Sequence, residues 1–230
     1  HYIPCLAGNS IELDSISIID VGCGNGGFVS AFPKTSNKIG VEIKEFPWKN
    51  AENVTFKVHN VLTQDNTKFI KKYDLVILRD VIEHIDLKHK EIFINNIKSF
   101  LNKNGKILIT FPPYYSPFGL HQQALMKSFL RKIPYLSLLP FSFTRILCRL
   151  FEDKEVLKEI EEIVNSRMTI SNFKSIIKRS DLKIYNEEYF SVRPSHEIRY
   201  GFKTKKACFS KAPLLRELLV LGTSYIIEKK

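Results

Sequence analysis

The sequence predicts an α/β protein on a doubly wound, mostly parallel sheet of seven strands, with an α-rich insertion after the fifth strand. Three observations predict it. Apolar runs of strand length alternate with segments of helical periodicity, the pattern of parallel strands joined by crossover helices. The first run leads directly into a glycine-rich turn, Asp20-Val21-Gly22-Cys23-Gly24-Asn25-Gly26-Gly27. The fifth is cut off by Pro112-Pro113, beyond which residues 114–166 break the alternation.

Taken in order, Ser15 to Val21 (SISIIDV) reads as the first strand, and a short helix after the glycine turn is stopped by Pro33. Lys38 to Ile43 (KIGVEI) and Val54 to Val58 (VTFKV) are the next strands, and Tyr73 to Leu78 (YDLVIL) is a buried central one. Leu87 to Leu101 has apolar residues at Ile92, Phe93, Ile97 and Phe100, an amphipathic helix with Asn104-Gly105 as its stop. Lys106 to Phe111 (KILITF) is the fifth strand. After the insertion, Thr169 opens a capped helix to Arg179, and Leu182 to Val192 and roughly Leu218 to Ile227 supply the closing strands.

A chain of 230 residues, 44% hydrophobic and 26% charged, suits one soluble domain over 1–230, with 114–166 as a helical insertion or cap. Cys5, Cys23, Cys148 and Cys208 lie far apart without metal-ligand spacing and read as reduced thiols, which points to the cytoplasm. The first ten residues lack the basic and apolar regions of a secretory signal, and Ile133 to Phe143, broken by two prolines, is too short to span a bilayer. The net charge of +11 is mostly lysine spread over solvated faces. Its distribution is less ordinary. No acid occurs between Glu91 and Glu152, whereas Lys127, Arg131, Lys132, Arg145 and Arg149 crowd one apolar stretch.

In a doubly wound sheet, ligands sit at the carboxyl ends of the strands, which is where the glycine turn falls. Gly22, Gly24 and Gly27 also fit the dinucleotide fingerprint, and Glu42 would accept ribose hydroxyls from either kind of cofactor. Asp20 discriminates. Its carboxylate would repel a diphosphate but attract an ammonium and a sulfonium. Asn60 stands just past the third strand, where its amide can meet an adenine edge, and Arg79-Asp80-Val81-Ile82-Glu83-His84 brings polar groups to the same sheet edge.

The segments IIDVGCGNGGF, VEIK, VHNV, YDLVILRDVIEHI and LNKNGKILITFPP, in this order, resemble the successive motifs of class I S-adenosylmethionine-dependent methyltransferases, which have a Rossmann-like fold. The DVIEHI element is most similar to the branch that includes ubiquinone-biosynthesis methyltransferases. The resemblance covers roughly Ile11 to Pro113. It implies that S-adenosylmethionine is the cofactor and S-adenosylhomocysteine the product. It further implies that Asp20, Gly22 and Gly24, with Cys23 and Gly26 beside them, hold the methionine part. Glu42 and Ile43 would hold the ribose, Asn60 and Val61 the adenine, and Arg79 and Asp80 would border the same site. Asn60 departs from the more usual aspartate, and few residues precede the first strand, where the family has a helix closing over the cofactor.

Methyl transfer needs an aligned nucleophile and, for a hydroxyl, a base, for which histidine is the usual candidate. His121, in the proline-dense segment after the fifth strand, is the first choice as base or substrate ligand. His84 reads more as a structural group, and His196 lies after the sixth strand; an already anionic acceptor would need no histidine. His1, His59 and His89 lack such placement. Tyr114, Tyr115, Arg193, Arg199 and Tyr200 are the candidate substrate contacts, and no metal is expected. Phe111-Pro112-Pro113-Tyr114 resembles the motif of enzymes that methylate exocyclic amines, but it follows the wrong strand and Phe111 cannot hydrogen-bond, so nucleic acid is disfavoured despite the charge. The expected acceptor is a small molecule, lipid precursor or glycan, with oxygen preferred. Leu125 to Phe151 reads as a helical cap or, more sharply, as a peripheral contact with an anionic membrane. An NAD(P)-dependent oxidoreductase and an RNA methyltransferase are the rival readings.

Overall fold

In a computed structural model, residues 1–48, 53–209 and 211–230 are described, apart from the Arg199 side chain. The sheet has eight strands: β1 Ser17–Val21, β2 Asn37–Glu42, β3 Val54–Val58, β4 Tyr73–Arg79, β5 Leu101–Phe111, β6 Leu182–Val192, β7 Lys205–Lys206 and β8 Gly222–Lys229. Their order is β3-β2-β1-β4-β5-β8-β6-β7. Strands β1 to β5 pair in parallel, and β8 runs antiparallel between β5 and β6. The order reverses between β1 and β4, so a crevice opens beyond the carboxyl ends of these strands.

The eighth strand, β7, is a two-residue edge piece pairing with β6 at Phe190 and Val192; two lysines carry no alternation from which to read a strand. The last apolar run divides. Leu218 belongs to a helix opened by Pro213, and the strand proper begins only at Gly222. Asn104-Gly105 is not a helix stop either. The helix Lys90–Phe100 ends in extended backbone at Leu101, and residues 102–105 bulge out between the pairs Tyr73–Leu101 and Leu75–Lys106. Gly105 is required there because a Cβ would lie 2.6 Å from the carbonyl oxygen of Tyr73.

Both faces of the sheet are covered. We label the helices α1 Tyr2–Gly8, α2 Gly27–Ser30, α3 Lys90–Phe100, α4 Gln122–Leu125, α5 Phe141–Phe151, α6 Lys154–Ser166, α7 Ile170–Arg179, α8 Pro194–Tyr200 and α9 Pro213–Leu219. On one face, Phe93, Ile97 and Phe100 of α3 and Phe173, Ile176 and Ile177 of α7 pack on the central strands. On the other, Tyr2 and Leu6 of α1 pack with Val29 and Phe32. The segment before β1 thus supplies a helix, although only a short one. Thr169 caps α7 as expected, accepting from the Asn172 N–H, and the Glu217 carboxylate accepts from those of Ile170 and Ser171.

The insertion folds around a core of its own, with Tyr114, Leu120, Leu130, Leu136, Cys148 and Ile160 buried together. Among the described residues, no helix is long and apolar enough to cross a membrane. The insertion is joined to the sheet by a buried lysine. Lys90 Nζ donates to the carbonyls of Ile82 (2.6 Å) and Ile85 (2.5 Å) and to Ser166 Oγ (2.7 Å) at the end of α6. Burial lowers its pKa to about 7, although Glu83 and Asp86 favour the charged form. Lys90→Met keeps the apolar stem but strands these acceptors. It is expected to cost about 2–4 kcal/mol in urea unfolding, since each orphaned buried group costs ~1–3 kcal/mol before any water replaces the ammonium.

Candidate active site

The turn after β1 is shaped by its glycines. Gly22 has φ +76° and a Cβ on it would lie 2.3 Å from Val81 Cγ2; Gly26 has φ +77° and its Cβ would lie 2.4 Å from the Phe56 ring. Only glycine fits either position. The N–H groups of Gly22, Cys23, Gly24, Gly26 and Gly27 are already used within the fold. Those of Gly22 and Cys23 donate to the Val41 carbonyl, and that of Gly26 to Cys23. Gly24 donates to Glu42 Oε2 at 3.0 Å and Gly27 to Asn25 Oδ1 at 3.1 Å. The following helix, α2, has only four residues. A diphosphate would call on these same donors. The turn therefore suits a dinucleotide less well than its glycine spacing suggests.

Asp20 is 2% exposed at the end of β1, and its Oδ1 has no hydrogen-bond partner. Burial raises its pKa to about 7; Arg79 opposes this and Glu42 adds to it. A buried, unpartnered carboxyl oxygen is costly unless a ligand satisfies it, and a cationic ligand would also ionise it. Glu42 accepts from the backbone N–H groups of Gly24 and Ile43, which fixes its carboxylate at the cavity wall. These residues fit the methionine ammonium and ribose of S-adenosylmethionine.

The first cavity, about 320 Å³, has Gly22, Glu42, Ile43, Asn60, Val61 and Asp80 on its wall. That volume lies at the lower end for small-ligand sites. Asp20, Cys23, Gly24 and Gly26 lie outside its lining, so of the residues expected at the methionine part only Gly22 borders the cavity, whereas Glu42, Ile43, Asn60 and Val61, expected at the ribose and adenine, all do. Arg79 lines neither main cavity; its guanidinium lies 4.1 Å from the centre of the Phe28 ring. Asn60 spends its Oδ1 on the Leu62 N–H. Sequence reasoning set His59 aside, yet it lines this cavity, as do Phe93 and Glu162. It also passed over Trp48, which stacks on Phe56 and donates from Nε1 to the Gly24 carbonyl at 2.8 Å. A tryptophan alone in a loop gives no local signal of this contact.

The second cavity, about 220 Å³, shares Asp80 and His84 with the first and adds Phe118, His121, Arg193, His196 and Tyr200. Three chain segments, after β4, β5 and β6, thus meet as expected. Tyr114 and Tyr115 do not join them. Tyr114 is buried in the core of the insertion and Tyr115 packs against that core. The Arg199 side chain lies outside the described residues.

Asp80 links these elements. Its backbone is left-handed (φ +54°), its Oδ1 accepts from Thr110 Oγ1 at 3.1 Å and its Oδ2 pairs with Arg193 Nη2 at 2.5 Å. Burial alone would raise this carboxyl; the Arg193 charge and hydrogen bond prevail and hold it below the usual carboxylate range. Glu83, 2% exposed, is the opposite case, because burial and then the Asp80 charge push its pKa well up. His121 is brought down to about 4 by burial and by its neighbour His84. One ligand atom each from Glu83, His84 and His121 lie within 4.8 Å of one another, close enough to hold a cation, although the sequence suggested no metal.

Residues 6–186 match a family model described as a methyltransferase domain. The chain belongs to this methyltransferase domain family. Solved structures show the same fold at low identity. Magnesium protoporphyrin IX methyltransferase from Synechocystis, with S-adenosylhomocysteine bound, is 14% identical with a TM-score of 0.58, covering 100% of this chain and 80% of that one. An S-adenosylmethionine-dependent methyltransferase from Mesorhizobium loti is also 14% identical, with a TM-score of 0.55, covering 97% and 95%. The 1,6-didemethyltoxoflavin-N1-methyltransferase of Burkholderia thailandensis is 12% identical with a TM-score of 0.54, covering 99% and 76%. No curated protein matches the chain.

For this methyltransferase the Asp20 titration gives a signed expectation. An ammonium-bearing ligand prefers ionised Asp20, whose unliganded pKa is about 7. Affinity for S-adenosylmethionine should therefore rise about tenfold from roughly pH 5.5 to 7, with proton release on binding. Calorimetry in buffers of different ionisation enthalpy checks both. Asp20→Asn should bind about tenfold more weakly at neutral pH and lose the pH dependence.

Proposed function

We propose that this methyltransferase transfers the methyl group of S-adenosylmethionine to an oxygen of a small-molecule acceptor held in the second cavity. The cofactor brings a methyl group already activated on positive sulfur. The observation that carries the reading is that the two cavities share one wall, Asp80 and His84, at the end of β4. Ligands on either side would meet there, and alignment across such a boundary is the main source of rate, on the order of 7–11 kcal/mol. Asp20 and Glu42 hold the cofactor's charged and ribose ends. Phe118 and Tyr200 offer flat apolar contacts, Arg193 a cation, and His121, His84 and His196 the groups that can orient or deprotonate a hydroxyl. The Burkholderia thailandensis N1-methyltransferase, which holds 1,6-didemethyltoxoflavin, supports a compact acceptor. The DVIEHI segment favours the ubiquinone-type branch.

The rival readings fit less well. A nicotinamide dinucleotide would find most donors of the glycine turn already used within the fold. An amine-methylating role for Phe111-Pro112-Pro113-Tyr114 fails because Phe111 is fully buried, with its ring 5.9 Å from that of Tyr225. The four cysteines are free thiols, in keeping with a reducing compartment such as the cytoplasm. Residues 1–230 act as one catalytic unit in this reading, with 114–166 as its cap.

A lipid-borne or glycan-borne acceptor is favoured by the outer face of the insertion. On α5, Phe143, Ile146 and Leu150 are 50%, 53% and 68% exposed along one helical stripe. Phe129 and Phe151 pack edge to face beside them. Lys127 and Arg145 pair with Asp153 and Glu161, while Arg131, Lys132 and Arg149 stand in a segment without acids. An apolar stripe bordered by cations suits an anionic lipid surface.

Two measurements check these readings. Calorimetry should show S-adenosylmethionine binding and no NAD binding, with methyl transfer to members of a panel of phenols, alcohols and carboxylic acids. In vesicle sedimentation, phosphatidylglycerol-containing vesicles should retain several-fold more protein than phosphatidylcholine ones, and Ile146→Asp with Leu150→Asp should abolish the difference.

A further inference from the structure

Three buried polar atoms near the wall between the two cavities lack a hydrogen bond: both carboxyl oxygens of Glu83 and Nε2 of His121. Leaving such atoms unpaired costs about 1–3 kcal/mol each, more when charged, so their grouping calls for a function. His121 Nε2 lies 3.9 Å from Glu83 Oε1, about one side-chain adjustment from a hydrogen bond. The placement is not local. Glu83 comes from the turn after β4, and His121 from the insertion, held in left-handed backbone (φ +55°) at the start of α4. The His121 ring is fixed edge to face against His84, 5.4 Å between centroids, and lines the second cavity, while its Nε2 is enclosed toward Glu83.

We propose that Glu83 and His121 form a proton-relay dyad, with His121 receiving the proton of the acceptor hydroxyl and Glu83 positioning the ring and receiving the proton from its far nitrogen. The proposal rests on oxygen methylation in the second cavity. In the working form Glu83 is ionised and accepts from His121 Nε2–H, leaving the Nδ1 lone pair for the acceptor. As the acceptor oxygen attacks the methyl carbon, the O–H bond breaks and its proton goes to Nδ1. The new O–C bond forms and the C–S bond breaks, its electron pair staying on sulfur. The Nε2 proton passes to Glu83; on product release the Nδ1 proton leaves to solvent and the proton held by Glu83 returns to Nε2, which restores the starting form.

The surroundings suit this role. Buried, with Asp80 on one side, Glu83 takes up a proton readily; Arg193 and Lys90 temper that tendency. His121 is held neutral by burial and by His84, against Asp80. His84 in turn faces Glu159 and Glu162 of α6. A base that starts neutral and a carboxylate with high proton affinity pass a proton in one direction.

The test is nitrogen-15 NMR of histidine-labelled protein with S-adenosylhomocysteine bound, in the wild type, Glu83→Gln and His121→Ala. On the alkaline side of the Glu83 titration the wild type should hold His121 as the Nε2–H tautomer, and Glu83→Gln should turn it into a mixture or into the Nδ1–H form. A wild-type Nδ1–H tautomer under those conditions, or a His121 signal that ignores Glu83→Gln, overturns the dyad. Stoichiometric Zn²⁺ binding that broadens both His84 and His121 and weakens in Glu83→Gln also overturns it, by making the three side chains a metal centre. With any panel acceptor methylated at oxygen, His121→Ala should lower kcat about 10²-fold or more. Glu83→Gln should lower it roughly tenfold and remove the alkaline rise of the pH profile, with S-adenosylmethionine affinity unchanged. Unchanged kcat in Glu83→Gln overturns the relay. Methylation confined to nitrogen or carbon, with the NMR coupling intact, would sink the oxygen reading and leave the dyad standing.

Discussion

The ion pair between Asp80 and Arg193 is the contact on which the site depends. It joins the end of β4 to the start of α8, two points 113 residues apart in the chain, and Thr110 of β5 binds the same carboxylate. Asp80 borders both cavities, so the pair sets the boundary between them. The fold makes room for it. Gly222 of β8 lies against the Arg193 side chain, and a Cβ there would come within 2.7 Å of Cγ. Removing Asp80 would leave Arg193, largely buried, as an uncompensated charge, which is more costly than losing a surface pair; Asp80, partly open to the cavities, would lose less without its cation.

The pair also determines the charge states around it. Because Arg193 keeps Asp80 ionised, Asp80 is a fixed negative charge beside Glu83, and burial and that charge together raise the proton affinity of the second carboxyl. Two carboxyl groups three residues apart are thus shifted in opposite directions because only one of them pairs with a cation. Asp20 repeats the pattern less strongly, since Arg79 is near but forms no hydrogen bond with it. These buried acids are poised by what surrounds them, which is the usual condition of groups that bind charge or move protons.

The insertion completes this arrangement from above. Its own core keeps it rigid, Lys90 anchors its last helix to the turn carrying Glu83, and its first residues deliver His121 to the cavity wall. The outer stripe of α5 is left exposed by the same packing that buries Thr144 and Cys148 on the inner side. Site and outward surface are therefore two sides of one element.

The sequence by itself determined the alternation of strands and helices, the bounds of β3 and β6, the cap at Thr169 and the glycine turn with Asp20 and Glu42. All of these rest on short-range physics, namely residue periodicity, backbone conformations open only to glycine, and charge at a strand end. It also identified His84, His121, Arg193, His196 and Tyr200 as residues bound for one sheet edge, since strand polarity determines which loops gather there. Tertiary structure alone decided which of them meet. Tyr114 turned inward because the insertion needed an aromatic for its core, and His59 and Glu162 reached the first cavity through contacts without periodicity. Glu83 was one of several polar residues brought to the sheet edge after the fourth strand, and only folding set His121 against it. Pairings between segments far apart in the chain depend on how whole elements pack, and no local pattern of residues encodes that.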